Sequence, residues 1–259
     1  MAAKVIHNEG VTCINSEEVD QMDLDFRRAD WESRLTSPVW YIRVEDELRR
    51  LFFPVVHHDA QLKAFRHKVY ELVAELLESK RMPLAERGPD LDQERRSVDT
   101  IVIHHTEEEP GIRLSKLSAI GLVRQYAFQY LADDVLGRQV RGEAVWSGHF
   151  LQGKMVFFAY HWLIRPDGIA ERLLEDTAIG WHAGNWAVNT SSIGIALSGD
   201  YETVTPPYAQ IEATARIIRE YYPGVAKGSI AGHREVTGGV TCPGAYFLQG
   251  WKQMLLDLV

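Results

Sequence analysis

Residues 232–244 read Gly-His-Arg-Glu-Val-Thr-Gly-Gly-Val-Thr-Cys-Pro-Gly and bring His233 close in sequence to Cys242, one of only two cysteines in the chain. The small residues before His233 and the Gly238-Gly239 pair let the chain turn back, so that Cys242 can approach His233. Imidazole nitrogen and thiolate sulfur are ligands that zinc binds tetrahedrally. The stretch therefore predicts part of a zinc site.

A catalytic zinc usually has three protein ligands and a water, so a third ligand is expected elsewhere in the chain. The best candidate is His104, which ends the apolar run Ile101-Val102-Ile103. Such a run is typical of a strand buried on both faces. A short strand is also predicted to lead into His233. In α/β sheets, ligands bind beyond the ends of the strands, so we expect the two histidines to meet there.

The composition excludes several classes of protein. At 259 residues and 46% hydrophobic content the chain can bury a full core. Its net charge of −8 argues against a nucleic-acid partner. No stretch approaches the roughly 18 apolar residues of a membrane span, and the first residues lack the apolar run of a secretory signal. We therefore expect no membrane span and a protein that is cytoplasmic at synthesis, with Cys13 as a free thiol.

The first part of the chain, residues 1–80, is predicted to be a helical N-terminal segment. The helical pattern is strongest over residues 59–80, with Asp59 as the N-cap. One face of that helix carries Leu62, Phe65, Val69, Leu72, Val73, Leu76 and Leu77. This stripe must be buried, either on the main domain or in an oligomer formed through the N-terminal helices. Residues 81–97 contain two prolines, a glycine and eight charged residues, and are predicted to be a linker.

From residue 98 to residue 259, predicted strands alternate with predicted helices. The strands cover residues 98–103, 156–165, 169–173 and 192–198, followed by the strand before His233. The helices cover residues 114–134, 206–222 and 246–258. This alternation predicts an α/β sheet domain with a helical N-terminal extension.

Residues 98–259 resemble the zinc-dependent N-acetylmuramoyl-L-alanine amidases of type 2, which include phage amidase-type lysozymes, muropeptide-recycling amidases and animal peptidoglycan-recognition proteins. The segments that carry the resemblance are, in order, Ile-Val-Ile-His104-His-Thr, Tyr160-His-Trp-Leu-Ile-Arg-Pro-Asp-Gly168, Trp181-His-Ala-Gly184, Asn189-Thr-Ser-Ser-Ile-Gly-Ile195, and Gly232-His-Arg-Glu through Cys242-Pro-Gly244. The resemblance implies a central mixed β-sheet flanked by helices. Residues 1–97 lie outside it.

The resemblance also implies one zinc ion per chain, held by His104, His233 and Cys242. Such an ion would activate a water and polarise the amide that joins N-acetylmuramic acid to L-alanine. The implied substrate and partner is peptidoglycan or a soluble muropeptide. A signal-less enzyme of this kind could reach the cell wall through a holin or another export route, or act on recycled muropeptides.

Further site residues follow from the same resemblance. Tyr160 stands where phage and animal enzymes carry a catalytic tyrosine, the alternative being a packed core aromatic. His182 matches a residue that lines the peptide groove, although it could merely fix a tight turn. Asn189 is assigned to substrate binding. His105 should point away from His104 on the strand, and is therefore assigned to packing or to support of the site.

Two departures from the family pattern concern catalysis. Recycling amidases carry a glutamate where this chain has Ala196, so the general base cannot be that carboxylate, and the chain is placed with the tyrosine-using branch. Many members carry a lysine two residues before the third ligand, a position that holds Val240 in this chain, with Thr241 beside it. We expect Thr241 to take over the role of that lysine, the alternative being impaired catalysis.

Two other functions compete with an active amidase. One is a peptidoglycan-binding module of the same fold with little or no activity, which the presence of all three ligands argues against. The other is an interaction protein in which zinc is only structural. A structural zinc would normally have a fourth Cys or His ligand, and the sequence has no second cysteine nearby.

Overall fold

The computed structural model describes residues 26–53, 59–131 and 142–259. Cys13 and the end of the helix predicted over residues 114–134 lie outside these ranges. The α-helices of the described residues are α1 (Arg28–Leu35), α2 (Trp40–Arg43), α3 (Glu45–Phe52), α4 (Ala60–Glu78), α5 (Leu114–Gln125), α6 (Trp186–Asn189), α7 (Tyr208–Tyr221), α8 (His233–Val236) and α9 (Lys252–Leu258). Their strands are β1 (Thr100–His105), β2 (Phe150–Leu151), β3 (Lys154–Met155), β4 (Trp162–Ile164), β5 (Ala170–Arg172), β6 (Ser192–Leu197) and β7 (Ile230–Gly232).

The central sheet formed by the described residues has five strands in the order β5-β4-β6-β1-β7. Strand β1 runs parallel to β6 and to β7, β6 runs parallel to β4, and β5 is antiparallel to β4. The sheet is therefore mixed and flanked by helices, which confirms the predicted fold class. The strands β2 and β3 form a separate antiparallel pair.

The strand predicted over residues 156–165 is wrong in its first half, because only Trp162–Ile164 form a strand. Residues before Trp162 bond elsewhere: the Phe157 N–H donates to the Ser118 hydroxyl at 3.0 Å, in α5. Phe157, Phe158 and Tyr160 are nevertheless buried. Their apolar pattern reflects packing against helices and not a ladder of strand hydrogen bonds.

The two faces of the sheet differ in composition. Side chains alternate along each strand, so the residues on one face are Ile101 and Ile103 of β1 together with Ile193 and Ile195 of β6. These residues are completely buried in a core shared with α7 and α9. The opposite face contributes Leu163 and Ala196 to a second core, which contains residues of α5 and of the N-terminal helices.

Helix α4 belongs to this second core. Its N-cap is Asp59, whose carboxylate accepts from the N–H groups of Gln61 and Leu62 at 2.8 and 3.0 Å, as predicted. The residues of the predicted stripe are buried except Leu77, which is half-buried. They pack within the chain in the same core as α5. The division of the chain at residues 80 and 97 stays a prediction.

The residues after α4 contact both the N-terminal helices and the sheet domain. The Trp40 indole N–H donates to the Pro83 carbonyl at 2.7 Å. The Arg95 guanidinium donates to the carbonyls of Asp176, Asn189 and Ser192 at 2.8 to 2.9 Å. Among the described residues, no helix is both long and apolar enough to cross a membrane.

Candidate metal centre

Three side chains from two distant parts of the chain meet at the end of the central strands. The donor atoms of His104, His233 and Cys242 all lie within 4.8 Å of one another. The Cys242 Sγ is 3.6 Å from the His104 Nδ1, and the two imidazole centroids are 4.7 Å apart. The structure thus brings together the three residues that the sequence predicts as zinc ligands.

The local fold explains why these residues converge. His104 lies near the end of β1 and pairs in the sheet with Ala196, whose small side chain leaves room beside the imidazole. Strand β7 ends at Gly232, where a Cβ atom would lie 2.6 Å from the Phe247 ring, so glycine is required. Gly239 has φ +80°, a conformation that glycine adopts readily, and helps the chain to reverse toward the third ligand.

The electrostatics of the three side chains favour a metal over a proton. Burial lowers the pKa of His104 well below its usual value, and lowers the pKa of His233 to about 4. Both imidazoles are therefore neutral at pH 7, with a lone pair available for a ligand bond. Within the described residues, the buried Nε2 of His233 has no hydrogen-bond partner. An orphaned nitrogen beside a thiol and a second imidazole fits a zinc ion.

The Cys242 thiol completes this donor set. Burial raises its pKa to about 12, and a backbone hydrogen bond at His105 offsets part of this increase. A metal ion reverses this balance, because a coordinating thiol gives up its proton outright. The residues present therefore fit a zinc ion, and its uptake would release a proton.

His182 is buried against His104. Its Nδ1 lies 3.0 Å from the His104 Nε2, and its Nε2 lies 3.2 Å from the Ser192 hydroxyl. Because Nδ1 of His104 faces Cys242, its Nε2–H is placed to donate to His182 and so to fix the ring orientation. A Cβ at Gly194 would lie 2.8 Å from the His182 ring, so this arrangement needs glycine. The role of His182 in a peptide groove stays a prediction.

Tyr160 lies beside the proposed ligands. Its ring centroid is 5.0 Å from that of His104, and the side chain is buried. Burial raises the pKa of the phenol, against the opposing effect of the Arg124 cation, so the hydroxyl keeps its proton at neutral pH. A protonated phenol can donate a hydrogen bond. Tyr160 also belongs to the second core, so packing and a site role are compatible.

The other two predicted site residues, Asn189 and Thr241, differ from each other in burial. Asn189, at the end of α6, is buried, and its side-chain oxygen accepts from the Ala183 N–H at 2.9 Å. Thr241 is exposed and follows the half-buried Val240. The predicted substrate contact of Asn189 and the predicted catalytic role of Thr241 stay predictions.

Glu107 is a charged group near the site that the sequence reasoning did not select. Its Oε1 lies 3.5 Å from the His105 Nε2. The His105 imidazole, and nearby cations such as Arg124, outweigh burial and lower the pKa of Glu107 to about 2. Glu107 opens a run of three glutamates, which in a sequence is typical of a solvated surface. The signal that could have revealed it is its position immediately after Ile-Val-Ile-His-His-Thr.

The comparisons with known proteins agree with these motifs. A family profile described as N-acetylmuramoyl-L-alanine amidase matches residues 94–245. Peptidoglycan-recognition protein SC2 of Drosophila melanogaster is 37% identical over 91 residues, which are 33% of this chain and 46% of that protein. The chain therefore spans about half the length of this relative. A second peptidoglycan-recognition protein of the same species is 27% identical over 178 residues, or 66% of this chain and 81% of that protein.

Among solved structures, the N-acetylmuramoyl-L-alanine amidase LysC from Clostridium intestinale URNW is similar to this chain. It has a TM-score of 0.45 and 21% sequence identity, and the alignment covers 63% of this chain and 87% of that one. The matched profile begins close to the end of the predicted linker and ends just beyond Cys242. It thus includes the three side chains that converge at the strand ends.

Proposed function

The chain belongs to the N-acetylmuramoyl-L-alanine amidase family, and from this premise we propose that it is a zinc-dependent hydrolase of the amide between N-acetylmuramic acid and L-alanine. The substrate would be peptidoglycan or a soluble muropeptide. The observation that carries the proposal is the convergence of two neutral imidazoles and a thiol within 4.8 Å. One zinc ion bound there would activate a water and polarise the scissile carbonyl.

The residues around the ligands have distinct tasks in this proposal. The protonated Tyr160 hydroxyl donates a hydrogen bond to the oxygen that becomes negative as the amide is attacked. His182 and Ser192 hold the His104 ring in the orientation that presents Nδ1 to the metal. Asn189 supports substrate binding indirectly. Its side-chain oxygen accepts a hydrogen bond from the Ala183 N–H and so holds Ala183 in place.

Thr241 is proposed to supply the hydrogen-bond donor that many relatives supply with lysine. Its exposure leaves the hydroxyl open to a bound substrate. The matched change is Thr241→Val, which keeps the branched shape and removes the donor. We expect slower turnover with unchanged zinc content, whereas Val240→Lys should not accelerate the reaction. A Thr241→Val enzyme as fast as the parent would remove Thr241 from the catalytic residues.

A peptidoglycan-binding module with little activity is the second candidate. It is favoured by the names of the curated relatives, which are peptidoglycan-recognition proteins. The two candidates differ in a single outcome, because the binding module would retain peptidoglycan without releasing a cleaved peptide.

The deciding experiment incubates the zinc-loaded protein with intact peptidoglycan and with soluble muropeptides, and identifies the products by mass spectrometry. We expect free stem peptide whose new amino terminus is L-alanine, and a lactyl carboxylate on the sugar. The Cys242→Ala variant is the matched control. Binding without any such product would support the recognition module and contradict the hydrolase.

A further inference from the structure

A buried ammonium group lies at the junction between α4, α5 and the loop that follows β1. Lys116 belongs to α5, and its side chain is only 8% exposed. Its Nζ is 3.0 Å from the Glu71 carboxylate of α4. It is also 3.1 Å from the Glu108 carboxylate and 3.3 Å from the Glu109 carboxylate, both in the loop. One cation therefore joins the N-terminal helix to the segment immediately after the strand of His104.

Glu108 is tightly constrained by this arrangement. Its side chain is 7% exposed, and its second partner is the His67 Nδ1 of α4 at 3.4 Å. Burial raises the pKa of Glu108, and the hydrogen bond to Lys116 opposes that increase. A buried carboxylate is costly unless a cation stays beside it. The Glu108 side chain, and with it the loop backbone, is thereby held against α4 and α5.

The loop also borders open space. Glu107, Glu108 and Glu109 line a cavity of about 470 Å³ together with Asp200 and Tyr201. The loop therefore has room to shift if its ionic contacts are removed. The Glu107 N–H donates to the Gly199 carbonyl at 3.1 Å, whereas the Glu108 side chain is held by its contacts with Lys116 and His67.

Displacement of the loop would reach the proposed ligands through His105. The Glu107 carboxylate is 3.5 Å from the His105 Nε2, and the His105 Nδ1 accepts from the Tyr201 N–H at 2.9 Å. The carbonyl of His105 is 4.0 Å from the Cys242 Sγ. His105 is also the neighbour of His104 in the chain. A movement at Glu107 thus acts on two of the three ligands.

We propose that Lys116 is a positioning residue for the metal centre, and that α4 is consequently part of the functional site and not an accessory appendage. The identity of the metal as zinc rests on the proposed function. Groups that orient metal ligands typically change metal affinity roughly 10–100-fold when they are removed. We expect Lys116 to act in this range, at its lower end, because it acts through the loop.

The test compares Lys116→Met with Arg113→Met in the full chain. Arg113 bridges the same helix through Glu71 and Glu78 at 3.1 and 3.2 Å, but its side chain is 54% exposed. Exposed ion pairs contribute little. Zinc affinity is measured by competition with a chelator, and amide hydrogen exchange is followed over residues 106–110. We expect Lys116→Met to bind zinc roughly 10-fold more weakly with faster loop exchange, and Arg113→Met to change both less than about 2-fold.

A second variant, Lys116→Met with Glu108→Gln, guards against simple misfolding. It removes the buried carboxylate charge that Lys116→Met leaves unpaired, so the chain keeps its fold. Zinc binding should remain weak because the ionic link to α4 is still missing. A folded double variant with parental zinc affinity and loop exchange would overturn the inference alone. A parent chain that binds no zinc would overturn the proposed function, and this inference with it.

Discussion

The two faces of the central sheet are built from the same strands but differ in the size of the side chains that they present. The face toward α7 and α9 presents fully buried isoleucines, such as Ile101 and Ile195. The face toward α5 presents His104, Gly194 and Ala196, where glycine and alanine leave room for the rings of the site. One face is filled with large apolar side chains that stabilise the fold, and the other carries small residues that leave room for the candidate metal centre. Because the strands alternate, the two requirements do not compete at any single position.

Removal of a proposed metal ligand should distinguish the roles of the two faces most clearly. Cys242→Ala should abolish stoichiometric zinc and reduce turnover below detection, because two imidazoles alone hold zinc far more weakly and leave its water unactivated. Elemental analysis and product release measure the two effects. Ile195→Val, from the opposite face, is the control and should keep one zinc per chain. Stoichiometric zinc in Cys242→Ala would remove Cys242 from the ligand set.

Tyr160→Phe tests the proposed role of the Tyr160 hydroxyl without altering the packing of the ring. The ring is retained, so zinc content and fold should be unchanged. Turnover should fall on the order of 10²-fold, because a positioned donor to the developing oxyanion is lost. The measurement is kcat at saturating muropeptide, with zinc determined on the same sample. An unaltered kcat would assign Tyr160 to the core alone.

Acid should lower the free energy of unfolding of the metal-free protein, because histidines near the candidate metal centre become protonated. Two imidazoles of this region, the half-buried His233 and the buried His161, have folded pKa values below the unfolded value of about 6.5: about 4 for His233 and about 3 for His161, both lowered mainly by desolvation. The unfolded chain therefore binds protons first, so the stability from neutral histidines is complete above pH 6.5 and is lost as the pH falls toward 4 for His233 and toward 3 for His161. His233 alone should cost about 2 kcal/mol between pH 7 and pH 5.

Urea unfolding of the metal-free protein at pH 7 and pH 5 measures this loss. The His233→Gln variant is the matched control, because it removes one of the titrating groups while remaining polar. Its stability should fall less between the two pH values than that of the parent. Equal losses in parent and variant would show that His233 does not contribute.

The smallest expected effects come from neighbouring residues of β6. Gly194→Ala places a Cβ 2.8 Å from the His182 ring, so the ring must shift and its contact with His104 is disturbed. We expect zinc affinity to fall roughly 10-fold. Ile195→Val should instead lower the free energy of unfolding by about 1 kcal/mol, with unchanged zinc affinity. Chelator competition and urea unfolding are measured on both variants. Weaker zinc binding in Ile195→Val, with unchanged zinc binding in Gly194→Ala, would contradict the division between the two faces.

The parts of the site that could be predicted from sequence are those with a local signal. His104 follows an apolar run, and His233 and Cys242 flank a turn with two glycines, so residue type and position were informative. The contact between His104 and His182 spans 78 residues and depends on Gly194 leaving space, which no periodicity reveals. The boundary error before Trp162 arose because a buried apolar segment resembles a strand.

The N-terminal half shows the same limit in another form. The stripe on α4 predicted that a face must be buried, but apolar periodicity carries no information about its partner. Lys116, Glu71 and Glu108 are ordinary charged residues in the sequence. Lys116 and Glu108 become buried only when helix and loop are brought together. Ion pairs between distant segments are therefore a property of the tertiary fold.

The position of β1 in the middle of the sheet has a consequence for the order in which the chain can fold. Its neighbours, β6 and β7, are both made much later during translation. The Ile-Val-Ile segment is therefore made before its partner strands, whereas α4 and α5 both precede β6 and β7 in the chain and can pack against each other earlier. His104 and Cys242 are 138 residues apart, so the candidate metal site is among the last features to form. Metal uptake would consequently report that synthesis and assembly of the sheet are complete.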